Sequence, residues 1–220
     1  MPAAGEHHPA FEEYCECIFE LREDDVEVIQ ARIAERLQVS RPAVSEMIRR
    51  LESEGLIAVD GGRIDLTAVG LVLATRVVRR HRLAERFLTD ILELPWSVAH
   101  HEAGKWEHVM SDAVEEALDR VLGSPTTCPH GNPIPGSLYE VPNSRPLAAV
   151  GVGQPFTVNR ITEELEFTPG LLDFLESSSI LPGRSGVITA ASPDGTVTVE
   201  IEGRHIGVGA YASARILVMA

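Results

Sequence analysis

Lysine is almost missing from this chain: Lys105 is the only one, and every other cation is arginine. Cysteine is scarce too, limited to Cys15, Cys17 and Cys128. An odd trio, with no basic-then-apolar leader ahead of it, argues against a disulfide framework and leads us to expect a cytoplasmic protein. No apolar run approaches the roughly 18 residues of a membrane span, so no membrane partner is expected. Internal repeats and low-complexity tracts are lacking, and so is any His-Glu-x-x-His or comparable catalytic signature. Positive charge is in deficit, with a net charge of −14. Phosphate attracts cations, so that sum counts against a nucleic-acid partner. Distribution matters more: the arginines cluster, and a local basic face, helped by bound cations, can still meet DNA.

What is present divides the 220 residues into three textures. Residues 1–9 are small and polar and read as a loose arm, with His7-His8 a weak metal tract. Phe11, Tyr14, Cys15, Ile18 and Leu21 fall at helical spacing. In "VEVIQARIAERLQVSRPAVSEMIRRLESEGLIAVDGGRIDLTAVG", Ile29, Ile33, Ala34 and Leu37 mark one helix. After a Gln-Val-Ser turn, Val44, Met47, Ile48 and Leu51 mark a second, with Ser40 or Arg41 as cap and Pro42 in its first turn. "LIAVDGGRIDLT" reads as strand, Asp-Gly-Gly turn, strand. A long helical pattern runs from Thr67 to about Leu92, and another from Pro95 to about Leu122 with a break at Gly104. Residues 123–146 are rich in Pro, Gly, Ser and Asn and read as a linker or ordered loop. Beyond 147, four short strand-like runs with Pro-Gly, Ser-Pro-Asp-Gly and Glu-Gly turns, plus a helical piece near Leu171–Leu175, suggest a small β-barrel. His205 reads as exposed in a Gly-rich turn. The expected architecture is mainly α with small β, divided as 1–74, 75–146 and 147–220.

Helix, tight turn, helix and two-stranded wing, in that order, is the winged helix-turn-helix pattern, whose second helix enters the major groove. Ser40, Arg41, Pro42, Ala43, Ser45 and Glu46 would lie at the base edges. Pro42 and Ala43 can touch thymine methyls, and Glu46 can accept from a cytosine amine. Arg49 and Arg50 suit phosphate contacts, Arg63 in the wing could reach backbone or minor groove, and Gln30 on the preceding helix is a further DNA-binding candidate. The plainer alternative is a small helical bundle with a solvated arginine face.

"AHHEAGKWEHVMSD" gathers His100, Glu107 and His108 within nine residues. His81 and Glu85 are i, i+4 on the long helix, and Glu13 and Glu16 are i, i+3 on the first. Three helices each offering a pair of O or N donors is one way to build a metal site inside a bundle. Singly, each of these residues could be a solvated surface group. Cys15 and Cys17 diverge on a helix and read as core or bystander thiols. Cys128 and His130, straddling Pro129, read as a chelating loop.

"ARIAERLQVSRPAVSEMIRRLESEGL", "RRHRLAERFLTDIL", "EAGKWEHVMSD" and "GNPIPG" closely resemble the diphtheria toxin repressor family of metal-activated transcription repressors, from about Glu12 to Gly136. The last 70 residues match more weakly, but their texture fits the SH3-like C-terminal domain of the longer members. The resemblance implies a homodimer with a winged-helix domain, a helical dimerisation domain and an SH3-like domain, acting on a palindromic operator with half-sites about 34 Å apart or a multiple of that. It also implies a primary site using Glu13, Glu107 and His108, with Glu16 and His81 matching further ligands. His81, Glu85 and His100 match the ancillary site of the iron regulators. Cys128 and His130 match a secondary site of longer manganese regulators, to which Glu166 (or its neighbours Glu163 and Glu164) would add a ligand. Gly104 stands where iron regulators carry Cys and manganese regulators Glu; its backbone carbonyl is the one donor it offers, and Glu16 could compensate. Glu46 stands where the iron regulators carry Gln. Carboxylate in place of sulfur at position 13 favours Mn²⁺, with Fe²⁺ close behind and Co²⁺, Ni²⁺ or Zn²⁺ able to substitute. No small organic substrate is expected. The rival expectations are a metallohydrolase, a winged-helix regulator answering a redox signal or small ligand, and an interaction module centred on residues 147–220.

Overall fold

The computed structural model describes residues 8–220. Residues 1–7, including His7, lie outside them. His8 caps the first helix, α1 (Pro9–Glu23), its ring nitrogen accepting from the Ala10 amide, so the helix begins within the stretch expected to be a loose arm. α2 (Gln30–Arg36) and α3 (Arg41–Ser53) follow. Ser40 is the N-cap of α3, its hydroxyl accepting from the Ala43 amide at 3.4 Å, and Pro42 occupies the first turn, where no backbone donor is needed. β1 (Ile57–Asp60) and β2 (Arg63–Leu66) pair antiparallel through Asp60 and Arg63, closing on Gly61 and Gly62. Both glycines have positive φ, as a two-residue hairpin turn of this hand requires. Ile18, Ile33, Val44, Leu51, Leu56 and Ile64 form a dry core beneath these elements.

α4 (Ala68–Asp90) runs unbroken through residue 74 and serves two cores. Leu73, Ala74 and Val77 pack into the first core. Leu83, Ala84 and Leu88 join Ala99, Ala103 and Ile134 in the second. Thr67 caps α4, and the next turn is very tight: a Cβ on Gly70 would overlap the Leu56 carbonyl, which already accepts from the Thr67 amide at 3.0 Å. Gly70→Ala should therefore cost about 1–3 kcal/mol by pushing the wing away from α4. A thermal melt of the metal-free protein that shows no drop would disprove that packing.

α5 (Trp96–Trp106) and α6 (Asp112–Val121) are separate helices. The expected break at Gly104 does not occur: Gly104 stays helical with open space around it, and the chain leaves the helix after Trp106 instead. Ser111 then caps α6, accepting from the Val114 amide. A single glycine costs a helix only about 1 kcal/mol, less than packing on α4 returns. Residues 123–144 form an ordered loop rather than a free linker: Cys128, His130 and Asn132 are fully buried, and the Ile161 amide donates to the His130 carbonyl.

The C-terminal part is a six-stranded antiparallel sheet in the order β3-β8-β4-β5-β6-β7, SH3-like in its architecture. Its strands are β3 (Arg145–Pro146), β4 (Pro155–Ile161), β5 (Ser185–Ala191), β6 (Val197–Ile201), β7 (Arg204–Val208) and β8 (Ile216–Met219). β7 was not anticipated, and it corrects the reading of His205. That residue is exposed as expected, but it lies in a strand paired with Glu200, not in a turn. Short helices α7 (Glu163–Glu166), α8 (Leu171–Ser177) and α9 (Ala210–Ser213) interrupt the strands. α7 directly follows β4 and faces α1, so the sheet domain delivers two glutamates toward the helices.

Candidate functional site

α1, α4 and α5 converge on a cavity of about 430 Å³ lined by Glu13, Glu16, His81, Gly104, Glu107 and His108, among others. The helical faces explain the convergence. His81 and Glu85 are one turn apart on the inner side of α4, and Glu107 caps the end of α5. Glu16 lies on the buried side of α1. The His81 imidazole is the hinge of the arrangement. Its Nδ1 is 2.5 Å from Glu107 Oε2, and its Nε2 is 3.3 Å from both Glu85 Oε1 and His100 Nδ1.

Three groups of donors follow in a row: Glu16, His81 and Glu107; then His81, Glu85 and His100; then Glu85, Cys128 and His130, each with its ligand atoms within 4.8 Å of one another. Neighbouring groups share one residue. Glu166 closes the far end, with Oε2 2.9 Å from His130 Nδ1 and 3.2 Å from His100 Nδ1. The two sets expected separately, His81–Glu85–His100 and Cys128–His130–Glu166, are thus one contiguous cluster around the Glu85 carboxylate. Glu13 is exposed and, like His108, joins none of the three groups, though both line the cavity. His108 Nδ1 is instead 2.8 Å from Glu12 Oε2, and Nε2 is 3.2 Å from Glu107 Oε1.

The residues fit a divalent cation. Glu16 Oε1 and His130 Nε2 are buried without a hydrogen-bond partner, which is costly unless something else satisfies them. Burial first, then the neighbouring Glu107, pushes the Glu16 carboxyl well above its usual range. Burial pulls the imidazoles down, yet the carboxylates outweigh it. Glu85 and Glu107 raise His81, hydrogen bonds to Glu166 and Glu85 take His100 up to about 9, and Glu166 and Glu85 raise His130. Without a cation, the cluster holds protons in the place of positive charge.

A second set of contacts supports this one. Arg82 is fully buried, 2.7 Å from Glu23 and 2.8 Å from Glu163, and donates to the Pro133 carbonyl. Arg160 reaches Asp24 at 2.5 Å and donates to Asn132, which donates to Glu166 Oε1 at 2.7 Å. These bonds hold Glu166 in place and tie the sheet domain to the end of α1.

Residues 8–63 match the family described as iron dependent repressor, N-terminal DNA binding domain, and residues 67–136 its metal binding and dimerisation domain. The iron-dependent repressor IdeR of Mycobacterium leprae is 40% identical over 213 residues, covering 88% of this chain and 89% of that protein. The diphtheria toxin repressor of Corynebacterium diphtheriae is 38% identical over 205 residues, covering 89% and 90%. A solved manganese-dependent transcriptional repressor, in complex with manganese, superposes with a TM-score of 0.85 at 33% identity, over 96% of this chain and 99% of that one. The chain belongs to the diphtheria toxin repressor family. It is a metal-dependent, DNA-binding transcription repressor, not an enzyme.

In this repressor the residues expected to read DNA lie on the outer side of α2, α3 and the wing. Gln30, Ser40, Arg41, Pro42, Ala43, Glu46, Arg49, Arg50 and Arg63 are exposed and Ser45 is half-buried, while Val44, Ile48 and Leu51 face the core. Arg63 is 3.3 Å from Asp65, two residues along the same strand of the wing. Three site residues escaped the sequence reading. Glu12 holds His108 and Arg76, Glu20 faces Arg36, and Arg36 stacks on Phe167 at 4.6 Å. The available signal was that Glu12 and Glu20 extend the acidic face of α1 begun by Glu16, at i−4 and i+4.

Proposed function

We propose that the repressor is a homodimer switched by Mn²⁺ or Fe²⁺, with Co²⁺, Ni²⁺ or Zn²⁺ able to substitute, and that it binds a palindromic operator in the cytoplasm. The observation that carries this reading is the shared His81. Glu16, on α1 of the DNA-binding unit, is joined through His81 and Glu107 to α4 and α5, and from there through Glu85 and His100 to Glu166 of the sheet domain. A divalent cation at either group supplies positive charge to carboxylates that otherwise repel one another. With that charge in place, Glu16 can stay ionised beside Glu107, and α1 is tied to the dimerisation helices in one pose. A coupling of a few kcal/mol between that pose and metal suffices to switch operator occupancy. Hard oxygen and imidazole donors at Glu16, His81 and Glu107, with Glu13 and His108 beside them, suit Mn²⁺ and Fe²⁺.

The donors around Glu85, namely His100, Cys128, His130 and Glu166, add a thiol and suit softer ions. Co²⁺-loaded protein should therefore show near-ultraviolet thiolate absorption that Cys128→Ser loses while keeping metal-dependent DNA binding; an unchanged spectrum would remove Cys128 from the ligand set.

The reading as a whole is tested by fluorescence anisotropy on the gene's own upstream DNA at fixed ionic strength, with chelator, with Mn²⁺ and, anaerobically, with Fe²⁺. Tight binding only with metal is expected, and the ratio of midpoints ranks the two ions. Equal binding with chelator and metal would reject the switch.

A further inference from the structure

We propose that Glu46 reads a cytosine, so that each operator half-site carries an obligatory C whose exocyclic amine donates to the Glu46 carboxylate. This deepens, and rests on, the DNA-binding reading above. Glu46 lies in the second turn of α3, on the stripe Pro42, Ser45, Glu46 and Arg49, opposite the buried Val44, Ile48 and Leu51. That stripe is the part of a winged helix that meets base edges. Two arginines lie one helical turn further on, where they could neutralise Glu46, yet neither does. Arg49 Nε donates to the Ser45 carbonyl at 3.2 Å, and the Arg50 guanidinium folds back over the Phe11 ring, 5.1 Å from its centre. Among the described residues the Glu46 side chain has no ion pair or hydrogen-bond partner.

An unpaired carboxylate on a groove-facing helix of a chain with net charge −14 opposes DNA binding everywhere except at one kind of edge. A carboxylate only accepts. Guanine offers it two acceptors and thymine an acceptor beside a methyl, both repulsive or blank. Adenine sets its amine next to the N7 acceptor, which suits an amide and repels one carboxylate oxygen. Cytosine alone presents an amine without an acceptor beside it on its own edge. Glu46 therefore acts chiefly by rejection: it lowers affinity for all sites and returns it where a cytosine stands.

The test is selection from a randomised duplex library with full-length, Mn²⁺-loaded wild type, Glu46→Gln and Glu46→Ala, followed by anisotropy on the selected duplexes. Glu46 is exposed and distant from the metal cluster, so both variants should fold and take metal normally, checked by melting curves with and without Mn²⁺. Wild type should select one fixed C per half-site, and a C-to-T change there should weaken binding about 10-fold per half-site. Glu46→Gln should move the preference to A. Glu46→Ala should lose the preference and bind unrelated duplex more tightly. Identical base preference in all three proteins would overturn the assignment while leaving the DNA-binding reading intact. Failure of wild type to select any sequence with metal would instead overturn the reading on which it rests, and the assignment with it.

Discussion

Glu107→Ala is expected to abolish the metal-dependent gain in thermal stability and in operator affinity while moving the metal-free melting point little. Glu107 is the residue the cluster can least replace: buried at 4% exposure, it contacts His81 at 2.5 Å and His108 at 3.2 Å and faces Glu16. Loss of even an outer-shell partner commonly costs about 10–100-fold in metal affinity, so removal of a direct donor should cost roughly 100-fold or more. In the metal-free protein two effects oppose each other. The His81 pairing is lost, but Glu16 is relieved of its like-charged neighbour, and Glu85 still holds His81 from the other side at 3.3 Å. Melts with chelator and with Mn²⁺ at about 100 times the wild-type Kd separate the two states, since binding at that excess adds about 2.7 kcal/mol to the wild type. An undiminished Mn²⁺ shift in the variant would move the sensor elsewhere in the cluster. Glu85→Ala serves as the companion, because Glu85 belongs to both remaining donor groups.

Metal affinity is expected to rise steeply between pH 6 and pH 9, above the fall near pH 6 that free histidines would give. His81, His100 and His130 are all raised in the metal-free protein, His100 to about 9, and Glu16 is raised well above the usual carboxyl range. Each must lose its proton to act as a donor, so binding at Glu16, His81 and Glu107 releases up to two protons, and affinity can climb by up to about 100-fold per pH unit. Stability of the metal-free protein runs the other way. A histidine whose pKa is raised by folding contributes stability that is complete below its unfolded value near 6.5 and is lost as pH rises through the folded value. Glu16, also raised, acts with the same sign from about pH 4.5 upward. Chelated protein should thus become less resistant to urea from pH 6 to pH 9 while Mn²⁺-loaded protein does not. Calorimetry in buffers of different ionisation enthalpy counts the protons. Metal affinity that stays flat over that range would mean the imidazoles are already neutral.

The winged helix was legible in the chain because its determinants are local. Ser40 caps within three residues, Pro42 fits a first turn, and Gly61-Gly62 supplies the positive φ of the wing. The inventory of donors was legible for the same reason: i, i+4 spacing puts His81 and Glu85 on one side of α4 whatever else the protein does. Their partners were not. Glu12 and Glu13 differ by one residue and about 100° of rotation, and only the packing of α1 on α4 decides that Glu12 is buried against His108 and Glu13 turned outward. β7 went unread because its five residues carry too little alternation to be recognised without β6 beside them. The break after Trp106 rather than at Gly104 reflects tertiary packing overriding a weak local preference.

The sequence by itself determined the DNA-reading unit, the donor types and the sheet-forming texture of the C-terminal third, since these follow from periodicity, caps and turns within a few residues. Only the tertiary structure decided that two expected ligand sets are one cluster around Glu85, that His81 bridges it to Glu16 and Glu107, and that Glu166 closes it from another domain. Two of those contacts, Glu16 to His81 and His100 to Glu166, join residues 65 and 66 positions apart, and chain spacing carries no information about distance once several helices and a loop lie between.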